Sequence, residues 1–216
     1  MARGLSVDLA VSAAVEIADE SGLGAVTMAA VAKRCGFTTM SLYRHVSGKD
    51  ELVRRMLDRV LGAAPPLPAG DWRAGLAFWS RALLEVLDRH PWGIDVPITG
   101  VLGTRAQLSW LDRGLEALAA TPLDEGAKAE IVLLLNGYVF WAARLRFQVP
   151  EVALDVIPAS LDVGEFPALA RAVAAGIFED GGTEHDEEFA FGLERVLDGV
   201  AALIDQARGQ VRAASA

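Results

Sequence analysis

The sequence predicts an all-α chain. Apolar residues recur at spacings of three and four along most of its length, which is the period of a helix with one buried face. No stretch shows the strict alternation of a half-buried strand, and Gly and Pro clusters separate one helical period from the next. With 216 residues, 52% of them apolar, there is ample material for a packed core. A small N-terminal domain of three helices is expected over residues 1–62, and a larger helical domain over 70–216.

Ser6 caps the first helix, which aligns Leu9, Ala13 and Ile17 beside Ala10, Ala14 and Ala18. Gly22 ends it as a left-handed cap. Thr27 caps a short second helix that stops at Gly36. Thr38 caps a third, over about 39–45, and a fourth runs from Lys49 to about Leu61. The stretch "GAAPPLPAG" then breaks the chain, because prolines cannot continue a helix. Asp71 caps a fifth helix with Trp72, Leu76, Trp79, Leu83, Val86 and Leu87 on one stripe, stopping at His90-Pro91. A further helix carries Leu108, Leu111, Leu115 and Leu118, and a long one covers about 124–147. Residues 148–165 read as a loop, and a helix near 167–178 precedes the acidic loop "EDGGTEHDEE". The last helix places Phe189, Leu193, Val196, Leu197, Val200, Leu203 and Ile204 at helical spacing.

Composition excludes several classes. The single cysteine, Cys35, permits no internal disulfide and suits a reducing cytoplasm, where it reads as packing rather than as a redox sensor. The N-terminus carries Asp8, Glu16, Asp19 and Glu20 and has no secretory pattern. The most apolar run, 131–143, is too short to span a bilayer. There is no Walker loop, no G-x-G-x-x-G, no G-x-S-x-G and no H-E-x-x-H, so no catalytic residue is assigned and an enzyme is not expected. The acidic loop lacks reliable metal-ligand spacing, and neither a metal nor a cofactor is expected.

The formal net charge of −9 hides an asymmetry. Residues 1–60 hold eight Lys/Arg and seven Asp/Glu, a net of +1, and the remainder nets −10. Residues 33–59 hold seven basic and three acidic groups, a local +4. Positive charge of this kind suits a phosphate backbone. It surrounds two short helices joined by "CGFT", which read as a helix-turn-helix. The second helix of such a pair enters the DNA major groove by its N-terminal end. That end is Thr38-Thr39-Met40-Ser41: hydroxyls for base edges, and Thr and Met methyls for the thymine methyl. Tyr43, Arg44 and His45 fall at the far end, where phosphates pass. Lys49 adds a cation at the start of the next helix, and Thr27 offers a hydroxyl.

"GLGAVTMAAVAKRCGFTTMSLYRHVSGKDEL" resembles the DNA-binding domain of the tetracycline-repressor family, in the pattern Thr27, Val31-Ala32, Gly36, Leu42-Tyr43-Arg44-His45, Lys49 and Leu52. The resemblance covers about residues 6–61. "WRAGLAFWSRALLEVLDRHP" and "EFAFGLERVLDGVAALI" are similar to the ligand-binding domain of the subgroup that includes the tetracycline repressor. The resemblance implies DNA-contacting roles for Thr27, Thr38, Thr39, Ser41, Tyr43, His45 and Lys49. Ala29 and Ala30 depart from it, since members often carry a basic or polar residue just inside the second helix. It also implies a homodimer on a palindromic DNA operator, released by a small-molecule effector, with no membrane role.

All five tryptophans lie after residue 71. With the neighbouring phenylalanines they suit either a filled core or an aromatic-lined cavity. The expected lining of a mostly apolar effector is Trp79, Leu83, His90, Trp110, Asn136, Phe140, Trp141 and Arg144. Dimerisation is expected through about 124–147 and 186–210, with Leu197 and Val200 in the interface and Gly192 and Gly199 admitting close backbones. A ligand-independent helical DNA-binding or adaptor protein is the alternative.

Overall fold

The computed structural model describes residues 6–97, 103–148, 165–175 and 185–214, and every regular element among them is helical. The helices are α1 (Val7–Ser21), α2 (Met28–Cys35), α3 (Thr39–Tyr43), α4 (Lys49–Leu61), α5 (Trp72–Arg89), α6 (Arg105–Ala117), α7 (Glu125–Gln148), α8 (Pro167–Ala174) and α9 (His185–Ala214). Short 3-10 turns cover Leu23–Ala25 and Pro91–Asp95. No helix among the described residues is long and apolar enough to cross a membrane.

The caps act locally. The side chains of Ser6, Thr27, Thr38 and Asp71 each accept from the backbone N–H three residues on, at 3.0–3.2 Å. Such a cap contributes about 1 kcal/mol. Thr104 and Gln107 close a reciprocal capping box at the start of α6. Gly36 has φ 76° and ψ 27°, the left-handed cap the turn requires. Gly22 has φ 78° but ψ 166°, so it turns the chain outside the left-handed helical well.

Residues from α1 to α4 build one core around Ala10, Ala14, Val26, Val31, Leu42 and Met56. The sequence pattern puts Ala29, Val31, Ala32, Phe37 and Leu42 in this core and runs the third helix to His45, and three of these expectations change in detail. Ala29 is exposed and Met28 is buried in its place, because the cap at Thr27 sets α2 so that Met28, Val31 and Ala32 share the inner face. Phe37 is only half-buried. Helix α3 ends at Tyr43 rather than His45, because the Leu42 carbonyl accepts from both His45 and Val46 and tightens the last turn.

A second core joins α5, α6, α7 and α9 through Leu76, Trp79, Trp110, Leu135, Leu193 and Leu197. The two cores interlock. Leu57 and Leu61 at the end of α4 belong to the second, and Trp92, from beyond the proline break, belongs to the first. Helix α9 begins at His185, inside the stretch expected to be an acidic loop, and Asp186, Glu187 and Glu188 occupy its first turn, where negative charge is favourable. Most of the 148–165 loop, the end of the 167–178 helix and Phe178 lie outside the described residues.

Where α7 meets α9, Tyr138 and Phe189 stack with centroids 5.4 Å apart, and the Tyr138 hydroxyl donates to the Phe189 carbonyl at 2.8 Å. Gly192 sits under that ring: a Cβ there would come within 2.2 Å of the hydroxyl oxygen. The close approach expected of Gly192 is therefore made inside the chain. Leu197 and Val200 are likewise buried in the chain's own core, a correction to their expected place in an interface. The phase of α9 decides this, because its outer strip falls on other residues, among them Phe191, Gly199 and Leu203.

Candidate DNA-reading surface and effector region

The helix-turn-helix turns a compact polar surface outward. Thr38, Met40, Tyr43, Arg44, His45 and Lys49 are exposed, whereas Thr39 and Ser41 are half-buried. The Thr38 side-chain oxygen accepts from the Ser41 N–H at 3.2 Å and lies 3.0 Å from the Ser41 hydroxyl. The two hydroxyls are therefore engaged with each other, and one lone pair or proton of each remains for an outside partner. The Thr27 oxygen accepts from Ala30, which leaves its hydroxyl proton free to donate. Met40, whose methyl is expected against a thymine methyl, is 74% exposed at the front of α3. Arg44 is exposed beside Tyr43 and His45, at the end where phosphates are expected to pass.

The turn between α3 and α4 is held by Glu51. Its carboxylate accepts from the Ser47 hydroxyl at 2.6 Å and the Ser47 N–H at 2.7 Å, and Arg55 donates to it at 2.8 Å. The Ser47 hydroxyl, then the Ser47 N–H, then Arg55 hold the Glu51 carboxyl down at about 2. Gly48 at the α4 N-cap brings no side-chain acceptor, so the first amides of α4 remain available beside Lys49.

Ion pairing sorts the local positive charge. Arg34 is bound to Glu16 and Glu20, Arg55 to Glu51 and Arg59 to Asp8. Among the described residues Lys33, Arg44, Lys49 and Arg54 carry no ion pair. Cys35 is half-buried, its thiol 3.8 Å from the Leu9 carbonyl, and burial pushes the thiol pKa up, away from the reactive thiolate.

Among the described residues, the eight expected to line an effector fall in different settings. Trp79, Leu83 and Trp110 are buried in the second core. Trp79 donates to the Trp110 carbonyl at 2.8 Å, and their rings meet edge-on at 5.9 Å. Trp110 donates to the Leu61 carbonyl at 3.2 Å, satisfying an acceptor that the end of α4 would otherwise leave open. Asn136 and Phe140 are half-buried, and Trp141 is 59% exposed on the outer side of α7. His90 meets Asp19 at 2.8 Å, and Arg144 donates to the Ile94 carbonyl at 2.8 Å, so both already have structural partners. A cleft of about 440 Å³ opens instead between the end of α4 and the outer face of α5, lined by Val60, Leu61, Phe78, Arg81, Arg89 and Trp110, among others. Only Trp110 belongs to both sets.

Two short helices on a small core, with hydroxyls and unpaired cations outward, define a helix-turn-helix protein that reads DNA. The chain belongs to the tetracycline-repressor family of bacterial transcription regulators. Residues 10–56 match the family described as bacterial regulatory proteins, tetR family, and residues 64–204 match the tetracyclin repressor-like C-terminal domain. The chain is 34% identical to the HTH-type transcriptional repressor DrrR1 of Streptomyces coeruleorubidus, over 95% of this chain and 81% of that one. Its fold is similar to apo ActR of Streptomyces coelicolor, with a TM-score of 0.82 and 26% identity over 96% of this chain and all of that one. ActR in complex with actinorhodin gives a TM-score of 0.76 at 26% identity, over 93% and 97% of the two chains.

Proposed function

We propose that the chain is a cytoplasmic repressor that binds a palindromic operator as a homodimer and is released by a small, mostly apolar molecule. The observation that carries this reading is the outward surface of α3 and the start of α4, which presents Thr38, Met40, Tyr43, His45 and Lys49 together. In this reading Thr38, Thr39 and Ser41 read base edges, while Thr27, Tyr43, His45 and Lys49 hold phosphates. Residues 1–62 form the reading head, and residues 70–216 form the dimerising and effector-binding body.

The dimer is carried by α7 and α9. Leu133, Leu134 and Trp141 on α7, and Phe191 and Leu203 on α9, leave large apolar side chains in water, a strip that a second copy would bury. Gly199 on the same side meets nothing within 4 Å of a built Cβ, so it leaves room for a partner backbone. The effector reading draws on ActR, which has been solved with actinorhodin bound. The cleft beside α4 is the proposed seat. Its apolar wall includes Val60 and Leu61, on the last turn of the helix whose first residue is Lys49, so a wedge there would tilt the reading head. Arg81 and Arg89 also line it, with Glu85 between them in the chain, a net of one positive charge that suits one weakly acidic group.

Selection of bound duplexes from a random pool tests the reading. A palindromic site recovered by a sedimenting dimer is expected. Recovery of a single unpaired half-site, or of no preferred sequence, would overturn it. For the effector arm, a ligand should quench tryptophan fluorescence and weaken operator binding over the same concentration range. A broad screen without such a coupled response would favour the adaptor without ligand.

A further inference from the structure

Two connections join the reading head to the body. One is α4, a single shaft shared by both cores. The other is the 3-10 turn Pro91–Asp95, which grips both domains within three residues. Trp92 is 3% exposed inside the head's core, and Ile94 is buried in the body's core. One oxygen of Asp19, on α1, takes the Trp92 indole N–H at 2.7 Å and His90 Nδ1 at 2.8 Å. The Ile94 carbonyl takes Arg144 of α7 at 2.8 Å. A shaft alone permits rotation and tilt about its own axis. A second fixed point away from that axis removes this freedom.

We infer that Asp19 is a positioning residue for operator recognition: it fixes the angle of the reading head on the body, and with it the half-site spacing the dimer accepts. The inference rests on the dimeric palindrome reading above. A two-fold pair of recognition helices must fall about 34–36 Å apart to meet successive major grooves. Indole and imidazole both converge on one carboxylate oxygen, so removing that oxygen releases the turn at two places. The Asp19 side chain touches no element of the reading surface, being spent on the body's turn, so it is not itself a base or phosphate contact. Asn retains an oxygen able to accept from both donors and should preserve the arrangement, whereas Ala cannot.

The test uses the full-length chain and the duplex selected by the wild type, with versions carrying one base pair added or removed between half-sites, and an isolated half-site. For Asp19→Ala, discrimination against altered spacing should fall about tenfold, a coupling of ordinary size, while half-site affinity stays within about twofold. Trp92→Phe keeps a ring in the head's core, removes one donor and should move in the same direction if Asp19→Ala fails to fold. Asp19→Asn should restore wild-type discrimination. Unchanged discrimination in both Asp19→Ala and Trp92→Phe would overturn the inference. So would a loss of half-site affinity equal to the loss on the palindrome, which marks a merely damaged head, or a failure of Asn to restore. A wild type indifferent to spacing would overturn the dimer reading itself and this inference with it, an outcome distinct from the others.

Discussion

The reading head and the body are both helical, yet they leave opposite chemistry in water. The head exposes hydroxyls, His45 and four cations without ion pairs over a core built largely from small side chains such as Ala10, Ala14 and Ala32. The body buries large ones, Trp79, Trp110 and a run of leucines, and exposes Leu134, Trp141 and Phe191. A polar exposed surface can meet a hydrated polyanion and leave it again. An exposed apolar strip has no such partner in water and is suited to a second protein surface. The difference teaches that the same helical period serves two ends, and that what faces outward separates them.

The sharpest way to break the comparison is in the body's core. Trp79→Ala should cost about 3–5 kcal/mol of stability, measured by denaturant unfolding, through the lost volume and the lost bond to the Trp110 carbonyl. A loss below 1 kcal/mol would mean that the aromatic centre is loosely filled, and would revive a central cavity. Next, Leu134→Glu with Trp141→Glu should yield monomers in sedimentation and weaken operator binding roughly 10²-fold through lost bivalency, without lowering monomer stability. Leu197→Glu, in contrast, should unfold the chain, because that position lies in its own core.

On the head the expected effects are smaller. Thr39→Ala should cost about 1–3 kcal/mol at one base-pair position per half-site, read by selection from a random pool. Lys49→Ala should weaken all sequences alike and reduce the salt slope by about one per half-site. A change of sequence preference in Lys49→Ala, without one in Thr39→Ala, would reverse the two roles. The smallest effect concerns acid. Glu51 has its folded pKa lowered to about 2 from 4.5, so its contribution to stability is present above 4.5 and fades as pH falls toward 2. Glu51→Gln should flatten the fall of melting temperature in that window. An unchanged profile would show that the Ser47 turn is held by other contacts.

Local signals were legible wherever a single residue type enforces a single geometry. Ser6, Thr27, Thr38 and Asp71 cap as their side chains require, and Gly36 takes the left-handed turn that a Cβ would oppose. The exposed position of Tyr43 follows from the cap at Thr38, since a cap sets the phase of the residues after it. By itself, then, the sequence determined the all-helical class, the helix-turn-helix and the family. Periodicity and capping act within a turn or two of the chain, and their physics needs no distant partner.

Tertiary structure decided the rest, because it depends on which face of each helix meets which neighbour. Leu197 and Trp141 are both large apolar residues at helical spacing, yet one is fully buried and the other lies mostly in water. Helical period marks a stripe, but only the packing of α5, α7 and α9 says which edge of a broad stripe is inside. The tryptophans followed the same rule: Trp79 and Trp110 fill a core, while Trp92 leaves its own domain for the other. His90 and Asp19 stand 71 positions apart in the chain, and no spacing rule could pair them. Their meeting exists only because the turn at Pro91 is folded against α1, where burial of the Trp92 ring brings the indole to the carboxylate.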